Sequence, residues 1–318
     1  MDLHTRPMVP DDAEAWAALW NAIEDADGGE DYASENDLLE EFSNPDQDFE
    51  RGSIAIYDGA IMAGYGTLTT RGTADPEHVM RYAGGVHPAY RGRGLGTELL
   101  AWSEQAAVPL HEDRHPGRRL VLSSGCLSRN AGAVALYESR GYHAARWFQA
   151  MLRDLSAPLP EISVPAGIRI VGFTPDMAEH ALLVRNESFR DHWGSTDTSA
   201  QAWAHTLASA AFRPELSFLA YEGSEPLGVL ISQEYPAHQA RTGHRELYVA
   251  IVGTRSAGRK RGIATALLAT VLSAARADGY DQASLGVDSD SLTGAVRLYE
   301  QVGFAIHLTW ISYRKQLR

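Results

Sequence analysis

Residues 91–96 of this 318-residue chain read RGRGLG and run into TELLAWSEQAA, where Leu95, Leu99, Trp102 and Ala106 recur at helical spacing. The first N–H groups of a helix lack intrahelical partners and carry partial positive charge, so a helix entry attracts anions. Glycine lets the backbone approach closely and turn through unusual dihedrals, and arginine adds charge-assisted bonds to phosphate. The stretch is therefore suited to cradle a pyrophosphate. It is not a dinucleotide fingerprint, because the third glycine would fall on Thr97. It is not a P-loop, because no Gly-Lys-Ser/Thr closes it.

The elements around this loop occur twice. RGRGLGTELL at Arg91 returns as RKRGIATALL at Arg259, with Ile263, Leu267 and Val271 marking the helix that follows. NAGAVALYESRGY (130–142) returns as LTGAVRLYEQVGF (292–304), and TRPMVPDDAEAW resembles IRIVGFTPDMAEHA. The loops are 168 residues apart, whereas Tyr137 and Tyr299 are 162 apart; the longer VPLHEDRHPGRR connection of the first copy accounts for the mismatch. Three prolines in LSAPLPEISVPAG mark a boundary, giving domains 1–155 and 156–318. Each copy reads as strand, helix, a hairpin turning at YDG or YEG, a further strand, the Arg/Gly loop and its helix. A strand, a short tyrosine helix ending at Gly141 or Gly303, and a last strand complete it. The class is α+β, with a mixed, largely antiparallel sheet in each half.

Composition narrows the function. A formal net charge of −13 argues against bulk binding to nucleic acid or an anionic membrane, and against an RNA role for GRKRG. No apolar run is long enough for a membrane span, and MDLHTRPMVPDDAE has no signal-peptide core, so a cytoplasmic protein is expected. With Cys126 as the single cysteine, neither an intrachain disulfide nor a Cys-rich metal site is available, and no metal is expected. Residues 24–50 hold twelve Asp or Glu and no Lys or Arg; this is either a solvated acidic surface or a rim that attracts a cationic substrate.

The pattern Arg-x-x-Gly-x-Gly/Ala after Val-x-Pro, followed by a strand and an Ala-x-x-Leu-Tyr-x-x-x-Gly-Tyr/Phe helix, resembles the GNAT superfamily of acyl-CoA-dependent N-acetyltransferases. The first copy fits with Val86, Pro88, Arg91, Gly94 and Gly96. The second fits with Arg259, Gly262 and Ala264 but has Thr254 and Ser256 where valine and proline are usual. The tandem layout resembles the mycothiol synthase-like group of two-domain GNAT proteins. The resemblance implies two tandem GNAT domains and an acetyl-CoA donor. Its cofactor contacts fall in the first copy on Gly85, Val86, Arg91, Gly92, Arg93, Gly94, Leu95, Gly96, Thr97 and Asn130. In the second they fall on Val252, Gly253, Thr254, Arg259, Lys260, Arg261, Gly262, Ile263, Ala264, Thr265 and Ser291.

Direct attack of an amine on a thioester needs a proton acceptor for the amine, a fixed donor for the developing oxyanion, and an acid for the thiolate, whose pKa is about 8.5. The resemblance puts the oxyanion donor on a backbone N–H of the strand before the loop, a strand it expects to splay from its neighbour. It makes Tyr299 and Tyr137 the candidate acids. Glu246, at the start of HRELYVAIVG and sharing a face with Tyr248 and Ala250, is the candidate base; an exposed strand-end carboxylate is the plainer reading. Glu77 and His78 hold the corresponding place in the first copy, where a surface histidine is expected. Cys126 is expected to be a small buried residue, and FRDHWGSTD (189–197) either lines an acceptor pocket or buries Trp193. Both halves are expected to bind acetyl-CoA and the C-terminal half to catalyse. The acceptor is a primary amine of a small molecule, and a cationic one if the acidic stretch borders it. A non-catalytic acyl-CoA sensor is the alternative, and monomer and homodimer both remain open.

Overall fold

A computed structural model describes residues 2–70, 74, 76–190, 192–193, 195–290 and 294–318. It resolves into two compact units, 1–147 with 309–318 and 148–308. The boundary expected from the repeats lies at 155/156. The compact units are divided otherwise, because the end of each repeat is counted with the other unit.

The first unit runs β1 (Leu3–Arg6), α1 (Ala13–Asp27), α2 (Glu35–Glu41), α3 (Phe49–Gly52), β2 (Ser53–Asp58), β3 (Ile61–Thr70), β4 (His78–Val86), α4 (Leu95–Arg114), β5 (Leu120–Leu127), α5 (Ala131–Ser139) and the start of β6 (His143–Asp154). The second holds the rest of β6, then β7 (Ile168–Gly172), α6 (Ala178–Phe189), α7 (Ala200–Ala208), β8 (Phe218–Glu222), β9 (Glu225–Gln233), α8 (Pro236–Thr242), β10 (Glu246–Thr254), α9 (Ile263–Ala277), β11 (Gln282–Asp288), α10 (Ala295–Gln301) and the start of β12 (Ala305–Gln316).

In the first unit β1 to β4 pair antiparallel in chain order, β5 lies parallel to β4, and β12 closes the sheet antiparallel to β5, from Trp310↔Leu127 to Gln316↔Val121. In the second, β7 to β10 repeat the antiparallel run, β11 is parallel to β10, and β6 pairs antiparallel with β11 from Phe148↔Asp288 to Asp154↔Gln282. The mixed sheet expected in each half is therefore present, with the final strand supplied out of chain order.

In the helices after the Arg/Gly loops, Leu95 and Leu99 of α4 and Ile263, Leu267 and Val271 of α9 are buried, while Trp102 and Ala106 of α4 are partly buried against the core. Most of the extra residues of the first copy lengthen the helix rather than the connection. Val108–Arg114 continue α4 through Pro109, so α4 has 20 residues against 15 for α9. Gly141 and Gly303 follow the tyrosine helices with φ of +78° and +90°, as a helix-ending glycine does.

Candidate active site

Backbone geometry at the two loops is alike despite their different residues. Gly94 and Gly262 cap α4 and α9 with φ of +91° and +79°. Two residues earlier, Gly92 (φ +73°) is matched by Lys260 (φ +62°), a left-handed conformation that costs a lysine more than a glycine. The loop shape is thus retained where the glycine is not. A side chain built on Gly92 or Gly94 would meet open space, whereas at Gly96 it would meet Leu136 at 3.1 Å. Leu95 and Ile263 point into the cores, so at those positions the backbone N–H alone faces the loop.

The strands before the loops part from their parallel neighbours. β4 pairs with β5 from His78↔Leu120 to Arg81↔Ser123, yet β4 continues to Val86 and β5 to Leu127. β10 pairs with β11 from Glu246↔Gln282 to Tyr248↔Ser284 and then continues to Thr254 paired with β9 only. Each gap leaves a length of strand backbone facing it, with the helix entry at its end. These features fit an elongated donor whose polar stem pairs with a strand and whose pyrophosphate meets N–H groups. Gly85 and Gly253 also permit close packing: Ile23 of α1 occupies the space of a Gly85 side chain, and Ser188 of α6 approaches Gly253 in the same way.

The two strands differ in one respect. Against β9, the register of β10 shifts between Val249 and Ile251, so Ala250 is an extra residue; β4 runs against β3 without such a shift. A bulge turns backbone groups out of the ladder and ends strict alternation. Burial alternates along Glu246, Tyr248 and Ala250, with Leu247 and Val249 buried between them, and the alternation ends at Ile251.

Tyr299 and Tyr137 are both buried, and burial pushes both hydroxyls up to about 12. Tyr299 also feels Tyr248 on the splayed strand. Tyr137 stacks on Tyr313, with ring centroids 5.0 Å apart, and its hydroxyl lies 2.6 Å from Ser124 Oγ. A phenol held at about 12 stays protonated at neutral pH and can donate.

Glu246 is not an exposed strand end. Its side chain is 15% exposed, and it accepts hydrogen bonds from Gln282 Nε2 at 2.8 Å and Ser284 Oγ at 2.5 Å. His238 Nε2, from α8, stands 3.6 Å from the same carboxylate. Nothing in the sequence marked His238, which lies eight residues upstream and is brought in by a short helix.

In the first copy, His78 is buried rather than on the surface. Its Nδ1 lies 2.8 Å from His111 Nδ1, its Nε2 has no partner, and burial together with His115 and His111 lowers it to about 4. Glu77 pairs with Arg314 at 3.0 Å. Cys126 is buried and its thiol is raised to about 11, as expected of an inert cysteine. Trp193 is half-buried, with its ring 6.3 Å from Phe148; Asp191 and Gly194 of the same stretch, and the expected contact Ser291, lie outside the described residues.

Much of the acidic stretch is engaged within the unit. Asp37 closes the cap of α2 with Ser34, Asp48 pairs with Arg51, and Glu41 accepts from Asn44 and Gln47. Glu24 is buried, and burial with Asp31, Asp27 and Asp25 nearby raises it to about 7. Asp27 binds Arg91 through two hydrogen bonds, of 2.6 and 3.1 Å, and Asn130 at 2.8 Å. Charge spacing alone could not separate these internal carboxylates from a solvated rim. Arg259, in the second loop, donates to the Ser188 carbonyl at 3.3 Å, and Arg261 pairs with Glu222.

The model of an acetyltransferase (GNAT) family matches residues 181–304, and that of an acetyltransferase (GNAT) domain matches residues 50–144. A mycothiol acetyltransferase of Thermobispora bispora is 31% identical over 96% of this chain and 97% of its own length. A second, from Salinispora arenicola, is 30% identical over 93% of this chain and 91% of its own. Among solved structures, a GCN5-related N-acetyltransferase from Sphaerobacter thermophilus superposes with a TM-score of 0.79 at 28% identity, covering 99% of this chain and 96% of that one. A tandem GNAT protein of the clavulanic acid pathway shares the fold, with a TM-score of 0.71 at 16% identity over 100% of this chain and 99% of that one.

Proposed function

Because the chain belongs to the GNAT family of acetyltransferases, we propose that its C-terminal unit carries the reaction, with Tyr299 as acid and Glu246 as base. The chain is an acetyl-CoA-dependent N-acetyltransferase acting on a small molecule. The observation that carries the assignment to the C-terminal unit is the bulge at Ala250, opposite the point where β10 leaves β11.

Acetyl-CoA, when bound, supplies an acyl carbon activated as a thioester. The loop N–H groups from Gly262 onward hold phosphate, and the free edge of β10 orients the stem. A bulge N–H, released from the ladder, is available to an oxygen that gains charge. Glu246 takes the amine proton through water, since it lies four residues, or about 13 Å of extended strand, before the bulge. Tyr299 donates its proton toward the departing sulfur. Val252, Gly253 and Thr254 form the far end of the same edge, and Thr265 follows the helix entry. Arg91 to Thr97 repeat this arrangement in the N-terminal unit, which we propose as a second acetyl-CoA site with Tyr137 in the acid position.

For the acceptor we propose a mycothiol-related amine, a reading that the names of the full-length relatives support. The internal use of the acidic stretch weakens the case for a polyamine. A cytoplasmic setting, as monomer or homodimer, completes the proposal; no helix among the described residues is long and apolar enough to cross a membrane. Thiol release measured against mycothiol-related amines, polyamines and aminoglycosides tests the acceptor. Turnover restricted to polyamines would overturn it.

A further inference from the structure

The Asp27 carboxylate, at the end of α1, takes three donors at once: both terminal nitrogens of Arg91, at 2.6 and 3.1 Å, and Asn130 Nδ2 at 2.8 Å. Its side chain is 13% exposed. Arg91 opens the glycine loop, its Nε also donates to the Val86 carbonyl at the end of the splayed strand, and Asn130 caps α5. Two side chains suited to hold phosphate are therefore held by a carboxylate of the chain itself, in the bidentate geometry that a phosphate would use. The neighbouring Ile23 lies against Gly85 on that strand, so α1 places the carboxylate by packing rather than by a flexible arm.

We propose that Asp27 is a built-in competitor for the N-terminal coenzyme A loop, and that it determines how readily this unit takes the cofactor. This rests on the reading of residues 91–97 as a coenzyme A loop. A pyrophosphate that engages Arg91 must displace Asp27 or bind beside it against like charge. Either route weakens binding relative to a loop without the carboxylate. The carboxylate that engages the cofactor loop thus opposes cofactor binding there.

Amide hydrogen exchange of the full chain, titrated with coenzyme A, separates the two loops. Protection of 84–97 reports the N-terminal site, and protection of 252–265 is the internal reference. Asp27→Asn and Asp27→Ser are expected to move the midpoint for 84–97 to roughly tenfold lower coenzyme A, the effect of losing one charge-assisted contact that must otherwise be broken, while the midpoint for 252–265 stays in place. Weaker protection of 84–97 in both variants, an unchanged midpoint, or loss of folding in both would identify Asp27 as a tether of the loop and overturn the proposal. Absence of protection at both loops in the unmodified chain would remove the coenzyme A reading itself.

Discussion

Ser124 Oγ lies 2.6 Å from the Tyr137 hydroxyl, and thirteen residues before Tyr299 the same place is held by Gly286. The first tyrosine is tied to its strand; the second has no side chain there to tie it. A methyl-sized group on Gly286 would meet only the Tyr248 hydroxyl, at 3.7 Å, so a serine fits without strain. Gly286→Ser is expected to engage the hydroxyl of Tyr299 and lower kcat by about tenfold or more, whereas Ser124→Gly leaves kcat within about twofold. Steady-state thiol release reads both; equal effects of the two substitutions would contradict a restraining role for the serine.

Tyr299→Phe is expected to lower kcat by about 100-fold with coenzyme A affinity unchanged, and Tyr137→Phe to have little effect. Since burial holds Tyr299 at about 12, the acid remains protonated as pH rises to 10, and kcat shows no tyrosine-dependent fall over that range. A loss of activity confined to Tyr137→Phe would move the reaction to the other unit.

Glu246→Gln removes the proton acceptor but retains the size of the group that Gln282 and Ser284 contact. The expected result is a drop of about 100-fold in kcat/KM at pH 7 that narrows as pH approaches the pKa of the acceptor amine, where the amine loses its proton unaided. A constant deficit at every pH would assign Glu246 a positional role.

Two buried groups of the N-terminal unit titrate in opposite senses. His78, lowered from 6.5 to about 4, favours folding above pH 6.5, and that contribution is lost as pH falls toward 4. Glu24, raised from 4.5 to about 7, favours folding below pH 4.5, and that contribution is lost as pH rises through 7. Each amounts to about 3 kcal/mol by linkage, so they offset one another between pH 4.5 and 6.5. Urea unfolding of Glu24→Gln is expected to expose a loss of stability as pH falls from 6.5 toward 4, and that of His78→Leu a loss as pH rises from 4.5 to about 7. Parallel pH profiles for both variants and the parent would contradict the assignment.

What could be read without coordinates was what repeats. Paired blocks around Arg91 and Arg259 located the loops, their helices and both tyrosines, because backbone chemistry at a helix entry leaves a compact signature. The splay, which the residues do not mark and only the resemblance implies, takes the form of strand pairing that stops at Arg81 and Tyr248. Burial of His78 and Glu24, and the approach of His238 to Glu246, depend on packing between segments far apart in sequence. Asp27 was visible only as one acidic residue among twelve. Lys260 shows the converse: its sequence hides a turn that the backbone retains.

The strand pairing of the first unit has a consequence during synthesis. Its β5 is flanked by β12, and the Arg318 carbonyl accepts from Leu120 N at 3.0 Å. A ribosome must therefore translate the whole second repeat before the sheet begun by the first can be closed, so the unit made first is the one finished last. Until then β5 presents an unsatisfied edge, and separating the coding sequence at the repeat boundary would leave that edge without its native neighbour.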